Sequence, residues 1–86
     1  MFYTIKYEKR ALKELSKLST NVVKQILGKI ESLALDPYQS GIKKLKGFDN
    51  VFRAKAGNYR ILYEINGDKL LVIIVAIGDR KDIYNK

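Results

Sequence analysis

Cysteine, histidine and tryptophan are absent from this 86-residue chain, and proline occurs once. Without cysteine there is no disulfide, no thiolate metal site and no cysteine nucleophile, a composition that suits a reducing cytoplasm. Without histidine the commonest general acid–base and the commonest metal ligand are both missing. Catalysis near neutral pH then falls to lysine, arginine, tyrosine or carboxylates. Carboxylates are scarce too, with 9 Asp and Glu against 17 Lys and Arg, a formal charge of +8. Nor is there a long hydrophobic run, since residues 70–77 ("LLVIIVAI") are far too few to cross a bilayer. The opening "MFYTIKYEKR" is charged by its sixth residue and alternates, so it does not read as an export leader. A cytoplasmic protein with no membrane attachment is expected.

What is present is apolar material enough for one small core, at 47% hydrophobic residues, and a charge that implies an anionic partner. The positive excess is local. Between Pro37 and Tyr63 stand Lys43, Lys44, Lys46, Arg53, Lys55 and Arg60 against a single acid, Asp49, whereas the flanking segments mix both signs.

Periodicity divides the chain into elements. "FYTIKYE" alternates and is rich in β-formers, which predicts a strand over residues 2–7. From Lys9 the period changes: Ala11, Leu15 and Leu18, with Leu12 beside them, form one stripe on a helix of about three turns. Lys9, Lys13 and Lys17 make its opposite, solvated ridge. "LSTN" breaks this helix and offers Ser19, Thr20 or Asn21 to cap a second one. That second helix carries a wide stripe of Val22, Val23, Ile26, Leu27, Ile30, Leu33 and Ala34, until Asp36 and Pro37 stop it. The short gap between the two predicts an antiparallel helical hairpin. After a loop, "YQSGIKKLKGFDN", three strands follow: "VFRAKA", "NYRILYEI" and "LLVIIVAI", joined through Gly57–Asn58 and through "NGD". The last is apolar on both faces, as suits the most buried strand. The expected fold is therefore α+β: an N-terminal strand, a helical hairpin and a three-stranded antiparallel meander, with the helices on one face of the sheet.

Period-two counting predicts what the other face carries. In "VFRAKA", Val51, Arg53 and Lys55 share a side; in "NYRILYEI", Asn58, Arg60, Leu62 and Glu64 do. If the two strands pair through the Gly57 turn, Arg53, Lys55 and Arg60 converge on the face away from the helices. One such residue alone is ordinarily a solvated side chain. Three like charges with no acid opposite cost stability that a merely structural surface has no reason to accept, and arginine with lysine makes a phosphate site. "GDRKDIY" follows the apolar strand, so Arg80 and Tyr84 leave the end of the sheet where they can fold back over that face. Tyr84 reads either as a terminal hydrophobic plug or as a group that stacks on a base or moves a proton.

The order strand, helical hairpin, "KLKG", "FRAKAGNYRILYEI", apolar strand and "GDRKDIY" resembles the RelE type within the RelE/ParE superfamily of toxins from prokaryotic toxin–antitoxin pairs. The likeness spans residues 1–86 as one RelE-like toxin domain. It implies a ribosome-dependent endoribonuclease that cuts mRNA in the A site without metal or other cofactor, and that is held inactive by an acidic, RelB-like antitoxin. It assigns catalysis to Arg53, Lys55, Arg60, Arg80 and Tyr84, and RNA contact to Lys46 with its neighbours Lys43 and Lys44. Arg53 stands where some members have lysine, and Asp79 precedes Arg80 where others have histidine or a basic residue.

The chemistry itself follows from what the chain contains. Glu64, Asp68, Asp79 and Asp82 are scattered and form no two-metal site. RNA can instead be cut by its own 2′-hydroxyl, which needs a base, an acid and cations for the extra charge. Two other readings stay open: a ParE-like inhibitor of DNA gyrase, and an RNA-binding module that does no chemistry.

Overall fold

The computed structural model describes residues 2–48 and 50–79. In chain order the elements are β1 (Thr4–Tyr7), α1 (Lys9–Ser16), α2 (Thr20–Leu35), β2 (Lys43–Lys44), β3 (Val51–Ala56), β4 (Tyr59–Asn66) and β5 (Leu71–Asp79). Arg80 and Tyr84 lie outside the described residues.

Of the three candidate caps Ser19 is the one used, its hydroxyl accepting from the Val22 amide at 3.4 Å. The cap answers one of the four amides that a helix start leaves without partners. Helix α1 is shorter than its stripe suggested, two turns in place of three. After Ser16 the Lys17 and Leu18 amides bond back to Glu14 and Leu15 in tighter i→i+3 turns. The connection to α2 is short, as expected, but each helix has its own seat on the sheet. Helix α1 lies against β5, and α2 lies against β3 and β1.

Among the described residues five strands form the sheet, in the order β1-β5-β4-β3-β2. The meander β3-β4-β5 is antiparallel, as predicted. Two features go beyond it: β1 pairs in parallel with β5, and Lys43–Lys44, expected as loop, pairs with Arg53 and Phe52 as the edge strand β2. Two lysines have little strand propensity of their own. Pairing along the open edge of β3 is what makes them a strand.

The core lies between the sheet and the helices. Ala11 of α1, Ile26, Ile30 and Leu33 of α2, and Ala54, Ile61, Tyr63, Ile65, Val72, Ile74 and Ile77 of the sheet are all buried in it. Burial is shared by β4 and β5, because both have a strand on either side. Tyr63 is fully buried and still satisfied, its hydroxyl donating to the Pro37 carbonyl at 2.7 Å while its ring stacks on Phe52. Burial first, then the neighbouring Asp36 carboxylate and Tyr38, push its hydroxyl above the ordinary tyrosine value of 10.0. Burial and Glu31 raise Tyr7 in the same direction.

Two local devices shape the upper end of the sheet. Strand β1 stops at the level of Ile74, so β5 runs on from there without a strand on that side. Helix α1 takes its place, and Glu14 turns its carboxylate onto the exposed backbone, accepting from the Ile77 amide at 2.8 Å and from Arg10 Nε at 3.1 Å. The second device is a register shift between Leu62 and Tyr63, whose partners are Ala76 and Ile74. Val75 is thereby left as the extra residue of a β-bulge.

Candidate active site

The face of the sheet away from the helices is fixed by the β3–β4 register. Lys55 stands directly opposite Arg60, Arg53 opposite Leu62, and Val51 opposite Glu64. Side chains at such directly opposed positions have Cβ atoms about 5 Å apart. Arg53 is two residues further along the same side, roughly 7 Å from Lys55. The Gly57–Asn58 turn that sets this register needs its glycine. Gly57 has φ +62, and a Cβ there would sit 2.7 Å from the Gln25 side chain of α2. A left-handed first turn residue is the mark of a type II′ hairpin, which keeps the strands' twist.

Strand β2 extends the cluster. Lys43 is the register partner of Arg53 and so joins this face, whereas Lys44 pairs with Phe52 and falls on the helix side. Lys43, Arg53, Lys55 and Arg60 thus form a four-residue basic cluster near the Gly57 end of the sheet. Among the described residues none of the four makes an ion pair; the salt bridge found there joins Arg10 and Glu14. Arg53 and Arg60 are half-buried, with Lys43 and Lys55 exposed beside them. On the same face lies a small apolar patch, Leu62 and Ala76 packed with Leu45, Val51 and Val75.

The bulge at Val75 decides what lies beside Arg60. Simple alternation from Ile73 would bring Ile77 to this face. With one extra residue in β5, Ile77 turns into the core opposite Ile61, and Gly78 becomes the partner of Arg60. Gly78 thus places no side chain of its own beside Arg60. Asp79 in turn pairs with Tyr59, which packs against the core, so the acid preceding Arg80 belongs to the helix face and not to the basic one.

Sequence reading missed Gly78, because a bulge leaves no signal in hydrophobic alternation. It also placed Lys43 in a loop. Both omissions come from pairing partners, which a single strand's pattern does not carry. Glu64 is the one carboxylate of β3 and β4 on this face, two rows away from Arg60. No group of three or more Asp and Glu able to hold a metal ion occurs among the described residues. Of the tyrosines described, Tyr3, Tyr7, Tyr59 and Tyr63 pack into or against the core, and Tyr38 sets its ring edge on Phe52. None of these five belongs to the basic cluster.

The chain as a whole has counterparts in known proteins. The family model for the ParE toxin of type II toxin–antitoxin systems matches residues 5–84. The chain belongs to that family. Within it the chain is a RelE-type toxin of the RelE/ParE superfamily. It is 36% identical over 83 residues to toxin RelE3 of Methanocaldococcus jannaschii, covering 92% of each chain. It is 28% identical to the mRNA interferase toxin RelE of Escherichia coli, over 100% of this chain and 94% of the relative. In structure it is similar to the toxin of the intact E. coli RelBE toxin–antitoxin complex, with a TM-score of 0.79 at 28% identity, over 90% of this chain and 95% of that one.

Proposed function

We propose that this RelE-type toxin is an endoribonuclease that cuts mRNA in the ribosomal A site and uses the four-cation face to bind the scissile phosphate. The observation that carries this reading is the Lys55–Arg60 pairing, with Arg53 and Lys43 alongside and a glycine, Gly78, as the partner of Arg60 on the other strand. Like charges directly opposed on a sheet are unfavourable unless something between them is negative. A phosphate bound there offsets the repulsion, and arginine meets it with paired donors.

In the proposed reaction the 2′-hydroxyl attacks the adjacent phosphorus and its proton passes to a base. The phosphorus–5′-oxygen bond breaks, and the departing oxygen takes up a proton. The products are a 2′,3′-cyclic phosphate and a free 5′-hydroxyl. Arg60, with Arg53 and Lys55, stabilises the additional charge of the phosphorane. Tyr84 is the base in this reading, a role that a chain without histidine can give to a tyrosine. Support for that role comes from the other five tyrosines, all engaged elsewhere. Arg80 neutralises the leaving oxygen electrostatically, since a guanidinium is too weak an acid to give up its proton readily. Cations in this arrangement repel a divalent metal, and the RNA's own hydroxyl replaces the metal-bound nucleophile. With groups this weak, the ribosome's positioning of the message supplies much of the rate.

The partners that go with this reading are mRNA and ribosome in the cytoplasm, and a cognate acidic antitoxin of the RelB kind that covers the basic face. Primer extension on a translated message with purified protein tests it. Cleavage within codons of ribosome-bound mRNA is the expected result. The matched family model carries the ParE name, which makes gyrase poisoning the second reading. Intact message together with DNA breaks is the outcome that selects it. Neither effect would leave an RNA-binding module without chemistry.

A further inference from the structure

Beyond the other end of β2 the chain turns at residues 45–48, and there a large aromatic side chain stands in solvent. Phe48 is 59% exposed. The Leu45 amide bonds to the Val51 carbonyl at 2.8 Å, the Phe48 amide reaches back to Leu45 at 3.4 Å, and Gly47 takes the left-handed turn position at φ +83. Phe48 thus ends a hydrogen-bonded turn. Together with Lys44, Leu45, Lys46 and Gly47 it lines a shallow depression at the outer edge of the sheet.

We infer that Phe48 is a stacking platform for an unpaired RNA base, with Lys46, and Lys44 at the sheet's edge, which line the same depression, meeting the phosphates of that strand. The inference deepens the endoribonuclease reading and rests on it for the choice of RNA. Three features favour a nucleotide over a docked peptide or protein. The described lining of the depression has one aromatic ring beside two lysines, whereas a helix or strand would need a row of apolar positions. The charges of that described lining are both positive. Leu45 of the depression also packs into the apolar patch on the face of the basic cluster, so one polyanionic strand can run across both. Phe48 is not needed to hold the fold, since most of its surface is already in water. Base stacking on an exposed ring combined with lysine contacts to phosphate is the usual way of gripping a single strand without reading its sequence.

The test is an equilibrium titration at low salt of the full chain with a short single-stranded RNA that carries the fluorescent base 2-aminopurine. The wild-type chain should quench the base on binding. Phe48→Ala should lose the quench and bind roughly ten-fold more weakly, with unchanged thermal unfolding, and Phe48→Trp should restore both. Lys46→Ala should weaken binding and reduce its salt dependence while keeping the quench. Undiminished binding and quenching by Phe48→Ala would overturn the inference even if the wild-type chain cleaves message on ribosomes. Conversely, a Phe48-dependent quench with no cleavage on ribosomes would sink the catalytic reading and leave the platform standing. Loss of antitoxin binding by Phe48→Ala with RNA binding intact would reassign the ring to a protein contact.

Discussion

Arg60 occupies the only position in β4 where a cation has another cation, Lys55, across one strand gap and nothing but a glycine across the other. Its value to the fold is small, because its guanidinium makes no ion pair among the described residues. Its value to the reaction is large in the proposed mechanism. Arg60→Ala should lower message cleavage by about 10²-fold, the usual cost of one charge-stabilising donor. Circular dichroism and melting temperature should not change, and growth inhibition should disappear. Tyr84→Phe should abolish growth inhibition too. Tyr63 presents the opposite case, a tyrosine with a structural task. Tyr63→Phe leaves the Pro37 carbonyl without its donor and should cost about 1–3 kcal/mol in urea unfolding. It also has a pH signature. Because the folded-state hydroxyl ionises later than the free one, its contribution is complete below pH 10.0 and is lost as pH rises beyond it. The alkaline fall in stability should be shallower in Tyr63→Phe, with Tyr7, raised likewise, accounting for part of what remains.

At the level of elements, β5 carries the most consequential irregularity. Its bulge at Val75 sends Ile77 inward and brings Gly78 beside Arg60. Gly78 does not have a positive φ, so a side chain there is compatible with the backbone. Gly78→Val should therefore fold, with strand propensity if anything improved. It should nonetheless cut cleavage by more than about ten-fold by filling the space where the phosphate is proposed to sit. The same strand depends on α1 where β1 runs out. Glu14→Ala leaves the Ile77 amide, on a residue 1% exposed, with no acceptor, and should destabilise the chain by about 1–3 kcal/mol. Glu14→Gln keeps an oxygen for that amide and should recover most of the loss. Thermal melts of the two variants side by side decide whether the hydrogen bond or the charge matters.

For the whole molecule, charge dominates. A formal +8 on 86 residues, with a four-cation cluster on one face, makes association with any polyanion steeply dependent on ionic strength. Affinity for message-loaded ribosomes should fall linearly in log–log form as salt rises, and the slope should shrink by about one for each of Lys43→Ala and Lys55→Ala. An acidic antitoxin that covers the same face should suppress cleavage fully at saturation. Full cleavage by a saturated complex would place the antitoxin elsewhere on the toxin. The described residues contain no helix long and apolar enough to cross a membrane.

Much of this architecture is legible in the residues themselves, because period and punctuation are local properties. Ser19 before an apolar stripe marks a helix start, Asp36–Pro37 marks its end, and alternation in "VFRAKA" and "NYRILYEI" separates a core side from a basic side. A two-residue turn at Gly57 then leaves one sensible register, which is why Arg53, Lys55 and Arg60 could be placed on a common face from sequence alone. What the sequence could not determine depends on neighbours distant along the chain. Lys43–Lys44 became a strand only by pairing with β3, and β1 found its place only against the far end of the chain. The extra residue at Val75, which turns Asp79 to the helix side and sets Gly78 beside Arg60, changes no hydrophobic pattern. Side-chain alternation reports which side of its own strand a residue takes. Which strand lies alongside, and in what register, is decided by packing across the whole sheet, and that is what sets Gly78 beside Arg60 at the proposed phosphate site.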